Sequence, residues 1–145
     1  MTLSTPVPMT ILLVEDDEVD VMNVKRAFKK NNISNPLVVA SNGIEALAVL
    51  RSPATDSPRP RIVLLDLNMP RMGGIEFLKE IRQDPELSSL SVFVMTTSNE
   101  DSDKIEAFNL NVAGYILKPL SMDRFISAVS TLNSYWTLCE YPGEI

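Results

Sequence analysis

Residues 62–70 read Ile62-Val63-Leu64-Leu65-Asp66-Leu67-Asn68-Met69-Pro70, four apolar residues in a row followed at once by an aspartate. A short continuous apolar run suits a strand buried on both faces of a parallel sheet. A charge placed directly after such a run is costly unless it has a partner. The same stretch therefore points to a fold and singles out Asp66 as a residue whose charge needs a reason.

Four further runs have this character: Ile11–Val14, Leu37–Ala40, Val92–Met95 and Tyr115–Leu117. The segments between them have helical spacing. Val21, Val24 and Phe28 recur on one side, as do Ile44, Leu47 and Ala48. Leu78 pairs with Ile81, Ile105 with Phe108, and Phe125 with Ala128, Val129 and Leu132. Asn42 stands three residues before Glu45, and Ser121 precedes the last helical run, so both read as helix starts. Five strands each followed by a helix predict an α/β chain, (βα)5, with a doubly wound five-stranded parallel sheet. The domain is expected over residues 10–133, between a flexible segment 1–9 and a tail 134–145, and the proline-rich stretch 52–61 reads as an exposed loop.

Composition narrows the function classes. At 145 residues the chain has room for one domain. A net charge of −6 with no long basic run argues against nucleic acid as a partner. The lone Cys139 excludes an internal disulfide and suits a reducing cytoplasm. No histidine is present, which removes histidine metal sites, serine–histidine relays and phosphotransfer from a histidine of this chain. Residues 1–9 lack the charge and apolar run of a signal peptide, and no stretch reaches the ~18–20 apolar residues of a membrane helix. A soluble, cytoplasmic protein is expected.

Ligands of an open parallel sheet bind outside the carboxyl ends of its strands. Glu15, Asp16 and Asp17 follow the first run, Asp66 the third, Thr96-Thr97-Ser98 the fourth and Lys118-Pro119 the fifth. Clustered carboxylates repel one another and stay ionised cheaply only around a cation. An all-oxygen site suits Mg2+, held by one or two carboxylates and a phosphate. The ammonium of Lys118 and the hydroxyl of Thr96 are able to stabilise a phosphoryl group on Asp66. Taken singly, Asp17 reads as a helix N-cap, Lys-Pro as a turn and a strand-end threonine as a cap. Together, in this order, they mark a site.

The chain resembles the receiver family of response regulators over residues 10–133. The resemblance rests on Ile11-Leu12-Leu13-Val14-Glu15-Asp16-Asp17, Val63 through Pro70 with Gly73-Gly74, Val94-Met95-Thr96-Thr97-Ser98 and Gly114-Tyr115-Ile116-Leu117-Lys118-Pro119. It implies a flavodoxin-like receiver fold and an Asp66 phosphorylated from a phosphohistidine on a sensor histidine kinase. It also implies Mg2+ on Glu15, Asp16, Asp66 and the backbone carbonyl of Asn68. Thr96 would be the switch hydroxyl, Tyr115 the switch aromatic, Lys118 the phosphate-pairing lysine, and Lys118-Pro119 a cis bond. Whether Thr96 or Thr97 reaches the phosphoryl group stays open. Arg61 departs from the family pattern, and Gly74 stands as the replacement of the aspartate in its Met-Asp-Gly turn.

Asn35-Pro36-Leu37-Val38-Val39 and the tail from Tyr135 to Pro142 are similar to small receivers serving phytochrome-type kinases. That similarity implies a homodimer. The stripe Phe125, Val129, Leu132 continues at Trp136 and Cys139, so the dimer contact is expected on the last helix and tail. The alternative is that the tail folds back onto its own domain and covers the groove beside the fifth strand. Only thirteen residues follow Leu132, so output is expected through a partner or a phosphorelay. Two other uses of a parallel sheet fit less well. A haloacid-dehalogenase-type phosphatase needs an acid where Asn68 stands, and a flavodoxin-like cofactor binder would meet phosphate with the repelling Glu15-Asp16-Asp17 loop. A pseudo-receiver would have lost some of these groups, and none is missing.

Overall fold

Strands and helices alternate along the chain: β1 (Ile11–Val14), α1 (Glu18–Lys30), β2 (Leu37–Ala40), α2 (Gly43–Arg51), β3 (Ile62–Leu65), α3 (Gly74–Gln83), β4 (Ser91–Thr96), α4 (Asp101–Asn109), β5 (Gly114–Leu117) and α5 (Met122–Leu138). This computed structural model describes residues 9–52, 59–118 and 121–139. Most of the expected N-terminal segment, the Lys118–Pro119 bond, and Tyr141 and Pro142 of the tail lie outside those residues.

All strand pairings are parallel, in the order β2-β1-β3-β4-β5. Strand alternation sorts the core into two layers. Ile11, Leu13, Ile62, Leu64, Phe93 and Met95 face α1 and α5. Leu12, Val14, Val63, Leu65, Val92 and Val94 face α2, α3 and α4. Both faces of the three central strands are therefore dry, as their unbroken apolar runs require. The edge strands are more exposed, and Val39 of β2 is 38% exposed.

The helix starts have local causes. The Asn42 side chain accepts from the Glu45 N–H at 2.9 Å, and Ser121 accepts from Arg124 N–H at 3.3 Å. Two helix ends share another device. Asn32 and Asn111 adopt left-handed φ of 54° and 61°, and the residue after each donates back to the carbonyl of Phe28 or Ala107. Asparagine accepts that conformation at little cost.

Three apolar expectations need correction. Leu47 is buried as expected, but Ile44 is 52% exposed and Ala48 is exposed, because α2 turns Ala46 and Leu50 inward beside Leu47. Ile105 and Phe108 of α4 are 62% and 52% exposed, and Ala107 carries the buried contact. In both helices the inward face is one step away from the spacing chosen. The third correction concerns the last helix. It continues unbroken past residue 133, and the stripe Phe125, Val129, Leu132 and Trp136 turns inward. Trp136 is 3% exposed, with its ring centroid 6.2 Å from that of Phe28 and 6.5 Å from that of Phe93. Its indole N–H donates to Asn133 Oδ1 at 2.9 Å. The stripe is core and is not available as a dimer surface.

A buried indole between two other aromatic rings is a large part of the α1–α5 contact. Trp136→Ala should destabilise the fold by about 3–5 kcal/mol, the range for removing a core aromatic. Urea unfolding of the two proteins measures it, and a midpoint unchanged by the substitution would contradict the packing described.

Candidate functional site

The β1–β3 register builds the site. Val14 pairs with Leu65, so the next residue on each strand, Glu15 and Asp66, stand side by side as the chains leave the sheet. The Asp66 N–H donates to Val14 O at 3.0 Å and the Glu15 N–H to Ala40 O at 2.9 Å, which fixes both backbones. Because β1 lies between β2 and β3, this is also the point where the strand order reverses. Glu15 and Asp66 are 5% and 7% exposed. Glu15, Asp16 and Asp66 each offer a carboxylate oxygen within 4.8 Å of the other two.

The chemistry of this donor set fits a hard divalent cation. Every donor is oxygen and the charges repel one another. Burial pushes the Glu15 carboxyl up to about 7, and the charge of Asp66 adds to the rise, while the bond from Lys118 opposes it. Positive charge is thus what the cluster needs.

Lys118 supplies some of it. Its Nζ lies 2.7 Å from Glu15 Oε1 and 2.8 Å from Asp20 Oδ2. Burial alone would lower its pKa, yet the bonds to Asp20 and Glu15 outweigh that and hold it above the ordinary lysine value. Asp20 was not among the residues singled out from sequence. The strand-end rule stops at residue 17, whereas the first turn of α1 overhangs the same edge. An acid in that turn was the available signal. Asp17 is the N-cap it was read to be, accepting from Val19 and Asp20 N–H at 2.8 and 3.1 Å.

Thr96 and Tyr115 fall on the opposite face by alternation. Thr96 continues the Val92, Val94 side and is fully buried, with its hydroxyl accepting from Ser98 N–H at 3.3 Å. Tyr115 packs on that same side, and its hydroxyl donates to Ser98 O at 2.9 Å. Burial, reinforced by Asp103, Asp66 and Glu100, keeps that hydroxyl protonated beyond the usual tyrosine range. The Phe108 ring stacks on Tyr115 with centroids 6.5 Å apart. Thr97 is exposed on the lysine side, accepting from Asn68 Nδ2 at 3.5 Å. The Asn68 N–H itself donates to Asp66 Oδ1 at 3.3 Å.

The glycine pair also needs correcting. A Cβ on Gly74 would lie 2.6 Å from Asp66 O and 2.7 Å from Leu67 Cα, closer than real contacts allow. On Gly73 it would meet Leu67 O at 3.3 Å, and Gly73 is the N-cap of α3. Position 73 takes a side chain with only a small shift whereas position 74 does not, so Gly73 corresponds to the replaced aspartate, and Gly74 is the glycine that lets α3 dock against the Asp66 backbone.

Comparison with known proteins agrees with this geometry. Residues 11–130 match the family described as response regulator receiver domain. The response regulator Rcp1 of Synechocystis sp. is 37% identical over 131 residues, covering 89% of each chain. The crystal structure of the phosphorylated cyanobacterial phytochrome response regulator RcpA superposes with a TM-score of 0.84 at 31% identity, covering 94% of this chain and 99% of that one. The Mn2+-bound form of Rcp1 gives 0.83 at 35% identity, covering 94% and 100%. Five parallel strands in this order, with Asp66 beside Glu15 at the reversal point, and this extent of matching place the chain in the response regulator receiver family.

Proposed function

We propose that this protein is a single-domain response regulator that takes a phosphoryl group on Asp66 from a phosphohistidine of a phytochrome-type sensor histidine kinase. The observation that carries the reading is the nearly buried Asp66, set by register beside Glu15 and within reach of Asp16. The phytochrome pairing is supported by the likeness to RcpA, a cyanobacterial phytochrome response regulator. Cytoplasmic work suits the lone Cys139, and among the described residues no helix is long and apolar enough to cross a membrane.

In this reading an Asp66 oxygen attacks phosphorus. The new O–P bond forms as the P–N bond to the kinase imidazole breaks, and the imidazole leaves with the electron pair and takes up a proton. Glu15, Asp16, Asp66 and the Asn68 backbone carbonyl would hold Mg2+, and its charge would offset that of the incoming phosphoryl group. Lys118 pairs with the phosphoryl group and Thr96 donates its hydroxyl to it, with the Thr96 backbone already tied to Lys118 by a 2.8 Å bond from Lys118 N–H. Movement of Thr96 is passed to Tyr115, its neighbour on the same face, and so to a downstream partner or a further step of a phosphorelay. The same charges assist attack by water, which gives the domain a hand in its own dephosphorylation.

Self-association belongs to this reading through the outer side of the last turns of α5. Leu138 is 84% exposed and Tyr135 51% exposed there, and a pair formed on that surface would be isologous.

Three measurements test these points. Incubation with Mg2+ and a small acyl phosphate should add one phosphoryl group by intact mass, and Asp66→Asn should abolish it. Undiminished labelling of Asp66→Asn would refute the assignment. Burial raises the Glu15 carboxyl to about 7 when no cation is bound, and a cation binds the ionised form. Mg2+ affinity should therefore fall about tenfold per pH unit below about 7 and level off above about 8. Calorimetric titration across that range checks it, and a flat profile would contradict the raised Glu15 carboxyl. Sedimentation of the full chain and of Leu138→Glu should show a dimer that the charge dissociates, whereas a monomeric wild type at micromolar concentration would end the self-association reading.

A further inference from the structure

The cation expected to meet the phosphoryl group is already held twice, by Glu15 and by Asp20. Asp20 belongs to none of the sequence motifs that mark the site. We propose that Asp20 is a positioning residue that gives Lys118 a resting station on α1 and yields it when Asp66 becomes phosphorylated. The inference rests on the roles of Asp66 and Lys118 proposed above.

The two contacts of the ammonium differ in how easily they break. The Glu15 side chain is 5% exposed and that of Asp20 35%. A buried carboxylate stripped of its partner is strongly penalised, whereas a partly exposed one rehydrates. A new anion on Asp66 therefore draws Lys118 off Asp20 before it draws it off Glu15. Asp20 is also unable to follow. It sits in the first turn of α1, with its N–H bonded to the Asp17 N-cap at 3.1 Å. Room for the movement exists: a cavity of about 250 Å³ lies against Leu13, Val24 and Phe125, and Asp20, Asp66 and Lys118 are all on its wall. The simpler account is that Asp20 only complements the α1 dipole as an acid in its first turn. That account gives Asp20 no energetic coupling to Lys118.

The test is a titration of the full chain with beryllofluoride in Mg2+, for the wild type, Asp20→Asn, Lys118→Ala and the double variant. Losing a partly screened competitor should tighten beryllofluoride binding about fivefold in Asp20→Asn. In the Lys118→Ala background the same substitution should change nothing. Tightening that persists without the lysine would mean simple relief of negative charge and would overturn the proposal. So would an Asp20→Asn affinity equal to or weaker than wild type while Lys118→Ala still weakens binding. A Lys118→Ala variant that binds as wild type would instead overturn the underlying lysine assignment. Asp20→Ser, which also removes the charge, gives the same readings should the asparagine variant misfold.

Discussion

The pairing of Val14 with Leu65 forces Glu15 and Asp66 together at a place from which water is largely excluded. Much of the site can be understood as a response to that congestion. Lys118 leans into it from β5, and the protonation of Glu15 is lifted by it. A divalent cation would relieve it, and a phosphoryl group on Asp66 would renew it. The sheet keeps the two carboxylates from separating, because each backbone is hydrogen-bonded to the neighbouring strand at the last residue before the loop. Charge therefore has to move through side chains and bound ions while the frame stays still.

Alternation of side chains divides the labour around that frame. Glu15, Asp66 and Lys118 share the parity of Leu13, Leu64 and Ile116, on the α1–α5 side, whereas Thr96 and Tyr115 lie on the α3–α4 side. In the proposed reading, a signal that begins as charge on one face would have to cross to the other at β4 and β5. The exposed Ile105 and Phe108 of α4 lie on the receiving side, with Phe108 against the Tyr115 ring. Apolar residues that a helical-period reading assigns to the core are in fact outward-facing beside Tyr115.

The five strands, the parallel order of elements and the acids, hydroxyls and lysine at the strand ends were legible because each depends on neighbours in sequence. A buried parallel strand announces itself by an unbroken apolar run, and its end by the polar residue that follows. What was not legible depends on residues far apart. Asp20 looks like any acid in a first helical turn until Lys118, nearly a hundred residues later, is seen beside it. Which of Gly73 and Gly74 is obligatory depends on the distance to the Asp66 carbonyl, and two adjacent glycines carry no mark of it. Short helices such as α2 and α4 have apolar residues on more than one side, so their phase is set by the sheet they pack on. The apolar stripe of α5 was read with the right residues and the wrong partner, since a stripe alone cannot distinguish its own domain from a second copy.

Trp136 is the chain's single tryptophan. It lies fourteen residues along α5 from Met122, about 21 Å of helix, which carries it toward the far end of the strands from the carboxylates. Enclosed by Phe28 and Phe93, it is set to emit as an indole in an apolar medium. Its fluorescence will track the closing of α1 onto α5 during folding and report little of a cation arriving at Asp66. Optical work on the site thus calls for a second chromophore introduced near the carboxyl edge, against which the native indole serves as a built-in reference for the integrity of the frame.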